Sequence, residues 1–452
     1  MKPDFVTELT SITPIDGRYR RKTQELSQFL SEFALIKYRI EVEVRYLIAL
    51  SKAKVVRKLT IKETVFLENI YKNFSLKDAS RIKKLEDETR HDIKAVEKYL
   101  VFRFKETSLN NLTEFIHICL TSEDVNNLAY RLMLKNAIET IILNKLMEIK
   151  KTLLEISKKH SQTTMLARTH GQAAIPTTFG KEVFVFYKRI EKEIKFLEKQ
   201  KLTGKLNGAV GNFNSFNFVF PEINWPNVSK QFIDSFGLEP NIITTQINPF
   251  EDIINLFQNL QRINGILLDL NQDLWRYISD DWLKLAVKKA EVGSSTMPQK
   301  VNPIDFENSE GNLTLANGLM QVMIDKLYVS RLQRDLSNST IIRNMGTVLG
   351  FCLMGYKSLS LGLSRIDVNK DKMLNDLNKD WGILSEGLQT YLRSKDFKDS
   401  YNFVASSTKG KRLDENSWKE LINSLKIPEP DKQKLLKLTP ENYLGIAKEL
   451  II

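Results

Sequence analysis

Residues 251–289 read EDIINLFQNLQRINGILLDLNQDLWRYISDDWLKLAVKK. Their apolar side chains fall at Ile253, Leu256, Leu260, Ile263, Leu267, Leu270, Leu274 and Tyr277, stepping by three and four. An apolar repeat of about 3.5 residues sustained that long specifies a helix packed along its whole side, as in a bundle or coiled coil. Read through to residue 289, the helix is ~60 Å long at ~1.5 Å per residue, longer than a small domain is wide. A helix of that length finds partners on other subunits, so the sequence predicts an oligomer.

The same periodicity recurs on either side. Ile142, Leu146, Ile149, Leu153 and Ile156 form one stripe, and Val183, Phe186, Ile190, Ile194 and Leu197 form another. Segments near 305–328 and 339–363 complete a set of five long helices. No proline falls between Pro14 and Pro176, between Pro249 and Pro298, or between Pro303 and Pro428. Long proline-free stretches with helical periodicity and little strand alternation predict an all-α protein. Three helical domains are expected: an N-terminal one over 1–111, a central long-helix bundle over 112–365, and a small lysine-rich one over 366–452. Residues 1–20 read as extended and end in the turn signal Pro14-Ile15-Asp16-Gly17-Arg18-Tyr19. Residues 36–50 read as a moderate helix, and the Gly- and Asn-rich 204–226 as a loop between two long helices.

The chain has 452 residues, 42% hydrophobic and 27% charged, which fits a globular protein with a sizeable core. No 18-residue apolar run and no apolar leader occur, so neither a membrane span nor a signal peptide is expected. Cys119 and Cys352 are the only cysteines, which excludes a disulfide framework and fits a reducing cytoplasm. The formal charge of +12 admits a solvated lysine-rich surface, steering of a small polyanion, or nucleic-acid binding. The lysines are scattered along helical segments such as KKTLLEISKK, which favours the first reading.

Candidate chemistry is concentrated in a few stretches. Gly293-Ser294-Ser295-Thr296-Met297-Pro298-Gln299-Lys300-Val301-Asn302-Pro303 lies between two helical segments and carries hydroxyls, an amide, a cation and free backbone N–H groups. That is an inventory for holding and reacting with an anion, beside its plain reading as a helix-breaking loop. It is not a P-loop, because Gln299 and Val301 stand where glycine and Ser/Thr are needed. Of the four histidines, His160 reads as a surface residue and His117 as a helix-interior one. His91, between Arg90 and Asp92, opens a helix, where anions are favoured. His170, in Arg168-Thr169-His170-Gly171-Gln172, sits between polar residues after a long helix and is poorly explained by packing. Thr121-Ser122-Glu123-Asp124 reads as a helix cap whose N–H groups also suit a carboxylate or phosphate. Arg334 and Arg343, with Ser339 nearby and a non-helical 335–338 between them, suit bidentate anion contacts as well as surface salt bridges. So few histidines and cysteines make a zinc site unexpected.

With TSED at 121–124, ARTHGQAA at 167–174 and GSSTMPQKVNP at 293–303, the chain resembles the fumarase/aspartase superfamily. Within it, the chain resembles the adenylosuccinate lyases of the enterobacterial type. PIDGRY at 14–19, GKLNGAVGN at 204–212, TTQINP at 244–249, PIDFENSEGN at 303–312 and VSRLQRDLSNSTIIRN at 329–344 extend the likeness over nearly the whole chain. The resemblance implies a homotetramer with a twenty-helix core and active sites shared between subunits. It implies β-elimination of fumarate from adenylosuccinate, giving AMP, and from succinylaminoimidazole carboxamide ribotide (SAICAR), giving AICAR. No metal and no organic cofactor are implied. By resemblance, Ser294 is the base and His170 the acid, with Ser295 the rival for the base and Glu307 orienting His170. Arg18, Tyr19, Arg90, His91, Asp92, Thr121, Ser122, Gln246, Lys300, Asn302, Asn308, Arg334, Ser339, Thr340 and Arg343 would bind the substrate. Two departures stand out: Arg90 occupies a place where this branch favours asparagine, and Gln299 replaces a frequent histidine. Another fumarate-releasing lyase, such as an argininosuccinate lyase, and a basic helical nucleic-acid-binding protein are the alternatives.

Overall fold

The computed structural model describes residues 8–286, 296, 297 and 299–451. The chain forms two compact units. The first comprises Met1–Leu146, Glu193–Gly265 and Gly311–Tyr356. The second comprises Met147–Lys192, Ile266–Glu310 and Lys357–Ile452. The protein is all-α, as expected. The strands described are three two-stranded pairs.

In the first unit, the helix Glu32–Lys52 starts where Ser31 Oγ accepts the Ala34 N–H at 3.2 Å. It packs against Ser122–Ala137 and Ile61–Lys72. Ser122–Ala137 is buried on nearly all sides, with Val125, Leu128, Ala129, Leu132 and Leu134 in the core. A helix enclosed in this way is held by tertiary packing more than by its own propensity. It runs through a π turn at Ile138–Ile142 into Leu143–Lys159. The loop from 204 onward is pinned by a short parallel pairing of Thr203–Gly204 with Glu239–Pro240, and its only regular helices are Asn214–Val219 and Trp225–Asp234.

In the second unit, Thr164–Thr169 and Gln172–Thr178 form an antiparallel hairpin between the helices Leu143–Lys159 and Phe179–Lys199. The sequence predicts no hairpin here, only a polar stretch after a long helix. His160 is buried, not on the surface: its ring meets Phe179 edge-on at 5.7 Å, and Gly180 N–H donates to its carbonyl at 3.0 Å. The two lysines before it made it read as polar surface, but the chain turns there and carries the imidazole inward.

The deciding helix is shorter than its sequence suggested. It spans Glu251–Ser279, ~43 Å at ~1.5 Å per residue. Asp281 takes a left-handed conformation with φ of 58°, and Trp282 N–H returns to Tyr277 O at 2.9 Å. Trp282 is fully buried, stacks on Tyr277 at 5.6 Å and donates its indole N–H to Asp376 at 2.8 Å. Leu283–Leu285 then pairs antiparallel with Ile366–Val368. Burying an indole with its N–H satisfied outweighs continuing the helix. Ile304–Leu327 and Met345–Leu363 complete the long helices, and short helices fill the tail, from Lys370–Leu377 to Glu429–Leu436.

Candidate active site

The first unit gathers most of the candidate binding residues around two helix starts. At one, Asp124 accepts the Thr121 N–H at 2.9 Å, so the expected cap forms at the head of Ser122–Ala137. Asp124 is fully buried and does more than cap. It pairs with Lys205, itself fully buried, at 3.0 Å and accepts the Asn207 N–H at 3.0 Å. One carboxylate therefore ties the 121–124 turn to the 204–212 loop. Beside it, Arg334 reaches Glu123 at 3.5 Å and the Gln246 side-chain oxygen at 3.4 Å, while Gln246 donates to Ala209 O at 3.0 Å. Burial pushes the Glu123 carboxyl pKa up, and Arg334, Lys205 and Arg131 draw it only part of the way back. Glu123, Asn126, Tyr130, Arg334, Asn338 and Ser339 line one small cleft.

The second start is the head of Asp92–Phe104. His91 caps it: Nδ1 accepts the Lys94 N–H at 3.2 Å. In the neutral ring that leaves the proton on Nε2, as a donor for a ligand. Asp92 is shared. Arg39 and Arg343 both approach its Oδ2, Arg343 at 3.5 Å, and Ile93 N–H takes Oδ1 at 2.9 Å. Burial alone would raise the Asp92 pKa; the two arginines and the backbone N–H outweigh it and hold it below the ordinary value. Arg343 also reaches Glu32 at 3.3 Å. Arg90, just before, is exposed and left-handed, with φ of 50°.

Arg18 is exposed and Tyr19 half-buried in a turn closed by Tyr19 N–H on Pro14 O at 2.8 Å. Arg343 lines a groove with Ile15 and Asp16 of that turn. Ser337–Ile342 is helical, so Ser337 and Asn338 lie on a turn of helix and not in the expected non-helical link, and Ser339 is helical as expected. Asp335 starts that turn by accepting the Ser337 N–H at 2.8 Å. Thr340 is exposed on it.

His117 is not inside a helix. It sits left-handed, with φ of 60°, in the irregular link before Thr121, and its Nδ1 lies 2.5 Å from Glu43. The apolar flanks Phe115, Ile116 and Ile118 gave it a helical look, but buried Glu43 draws the imidazole out of helical register.

The second unit holds the rest. His170 and Gly171 form the two-residue hairpin turn, both with positive φ (55° and 74°), the geometry of a type I′ turn. His170 is exposed and makes no hydrogen bond among the described residues. Glu307 accepts the Trp275 indole N–H at 3.1 Å and is not joined to His170 by a hydrogen bond among the described residues. Asn308 accepts from Ser358 at 2.7 Å. Lys300 is exposed in a turn, its N–H on Met297 O at 3.1 Å, and Asn302 is half-buried. Ser294 and Ser295 lie outside the described residues. No cluster of metal-ligating side chains occurs among those described.

A family model described as lyase matches residues 17–318, and one described as adenylosuccinate lyase C-terminal matches 330–444. Adenylosuccinate lyase of Buchnera aphidicola from Acyrthosiphon pisum is 43% identical over 99% of both chains. The Legionella pneumophila (strain Corby) and Escherichia coli K12 adenylosuccinate lyases are 43% and 40% identical, again over 99% of both. The chain belongs to the adenylosuccinate lyase family. The fold is that of a wider group: a fumarate lyase structure from Mesorhizobium sp. BNC1 superposes with a TM-score of 0.76 at 17% identity, covering 95% of this chain and 96% of its own. A β-carboxy-cis,cis-muconate cycloisomerase from Acinetobacter calcoaceticus gives 0.73 at 16%, covering 96% and 98%.

Arg39 escaped the sequence reading of this adenylosuccinate lyase family member. The signal was present: Leu35, Arg39, Val42 and Tyr46 share one helix face, so an arginine stands inside a buried stripe. Glu43, between Ile40 and Leu47 on the adjoining face, was missed in the same way.

Proposed function

We propose that the chain cleaves adenylosuccinate to AMP and fumarate, and SAICAR to AICAR and fumarate, by β-elimination. The observation that carries this is the match to adenylosuccinate lyases over 99% of the chain at 43% identity. The geometry suits the substrate's charge. Arg334 and Arg343, the donor face of His91 and the head of Ser122–Ala137 offer separate anchors for phosphate and carboxylate groups.

A trans elimination breaks a C–H and a C–N bond. In this reading Ser294 takes the proton from carbon and His170 gives one to the departing nitrogen, as the C=C bond of fumarate forms. Charge builds on the succinyl carboxylate as the carbon is deprotonated, and Lys300, Asn302, Thr121, Ser122 and Gln246 hold it. Arg18, Tyr19, Arg90, His91, Asp92, Asn308, Arg334, Ser339, Thr340 and Arg343 hold phosphate, ribose and base. Glu307 orients His170 from another subunit. No metal or organic cofactor enters any step.

The active species is a homotetramer with shared sites in the cytoplasm. Leu315, Leu319 and Val322 support it: they are 54%, 37% and 58% exposed on one face of Ile304–Leu327, a stripe that a second copy would cover. The domain limits at 111/112 and 365/366 belong to the same reading. No helix among the described residues is long and apolar enough to cross a membrane.

Purified protein is incubated with adenylosuccinate and, separately, with argininosuccinate, and fumarate is measured. Release from adenylosuccinate is expected. Release only from argininosuccinate, or from neither, overturns the assignment.

A further inference from the structure

We propose that Arg39, acting through Asp92, sets where Arg343 presents its guanidinium to the anionic substrate. This rests on the lyase reading above. Arg39 is a positioning residue, because its side chain is 1% exposed and no ligand can reach it.

A buried guanidinium persists only where its charge and donors are met. Arg39 Nε donates to Asn126 Oδ1 at 2.9 Å, and its other arm ends on Asp92 Oδ2. That oxygen is also the one Arg343 approaches at 3.5 Å, while Ile93 N–H occupies Oδ1 at 2.9 Å. Asp92 is therefore committed from the inside. It works as a bridge between two arginines, one buried and one 42% exposed. The other arm of Arg343 reaches Glu32, at the start of the helix that carries Arg39. Two carboxylates thus hold Arg343: one belongs to this helix directly, and the other is steered by it through Arg39.

Arginine recognises phosphate or carboxylate through a planar fork, so the plane in which it is held decides the contact. With Arg39 in place, Asp92 divides its charge between two cations and grips Arg343 loosely. Without Arg39, the whole carboxylate turns to Arg343 and competes with the substrate for it. The acid and base are untouched, so the loss falls on binding.

The test is steady-state kinetics with adenylosuccinate and SAICAR on wild type, Arg39→Gln, Asp92→Asn, the double variant, and Arg39→Lys. Arg39→Gln is expected to raise KM by about tenfold for both substrates, the scale of one lost charge-assisted contact, with kcat within about twofold. The double variant is expected to have the KM of Asp92→Asn alone, because the route through Asp92 is already cut. Arg39→Lys keeps the charge and loses one arm; it is expected to fall between, and it answers the question if Arg39→Gln does not fold. A folded Arg39→Gln or Arg39→Lys with wild-type KM and only a lower Tm overturns the inference, as do single effects that multiply in the double variant. A wild type that releases no fumarate from adenylosuccinate overturns the lyase reading instead.

Discussion

His170 owes its exposure to one backbone state. Histidine enters the left-handed region more readily than most residues, and at φ of 55° it stands at the tip of a turn with no hydrogen bond among the described residues. A side chain left that free is placed to meet a substrate or another subunit. His170→Ala and Ser294→Ala are each expected to lower kcat by about 10²–10⁴, the usual scale for losing a general acid or base, with the oligomer unchanged by size exclusion. Full activity in Ser294→Ala moves the base to Ser295. A second histidine has a different use. Burial alone would lower the His117 pKa, but Glu43, 2.5 Å away, outweighs it and raises it. A raised cation contributes stability fully below its unfolded pKa of about 6.5 and loses it as pH rises through the folded value. Tm is therefore expected to fall from pH 6 towards alkaline pH, and His117→Asn should flatten that fall; an unchanged slope removes the pair from the account. His117 was not legible in the sequence because its partner lies 74 residues away. Periodicity reports a helix face, not what a remote carboxylate will claim.

At the scale of elements, the helices were legible because their signal is local and repeated. Every apolar position of the 253–274 stripe is buried, from Ile253 to Leu274. The stop at Ser279 was not, since it depends on Trp282 finding Tyr277 and Asp376, which no window of sequence shows. The hairpin was missed for a related reason: its strands are short and Pro176 lies within the second. Yet its turn carries a local mark, a residue tolerant of positive φ followed by glycine. Gly171 sits at φ of 74° with open space around a built Cβ, so alanine there meets only backbone strain. Gly171→Ala is expected to cost about 1–2 kcal/mol of stability and to lower kcat by displacing His170. Gly211 combines both penalties, φ of 79° and a Cβ 2.1 Å from Thr244 O. Gly211→Ala is expected to destabilise more, because the 204–212 loop must leave Gln246. Thermal unfolding of the two variants ranks them, and the reverse order would contradict the steric argument.

Across the whole molecule, the candidate residues divide between the two units of the chain. Arg334, Arg343, His91 and Thr121 belong to the first unit, and His170, Lys300 and Glu307 to the second. Glu307 is engaged with Trp275 while His170 stands alone among the described residues, although the family resemblance makes them partners. That mismatch was not legible in the sequence, because a motif names residues and not the chain that supplies them. The proposed tetramer resolves it if one subunit lends Glu307 and another His170. Complementation tests whether a site is shared between chains, with His170 and Ser294 as the pair. His170→Ala and Ser294→Ala proteins, each inactive, are unfolded, mixed in equal amounts and refolded together. If a site draws the two residues from different chains, random assembly leaves about one site in four with both intact. Activity should therefore return to about a quarter of wild type in the mixture and stay about 10²–10⁴-fold below wild type in either variant refolded alone. If each site takes both residues from the same chain, no mixed oligomer contains an intact site, and the mixture stays as inactive as its parts.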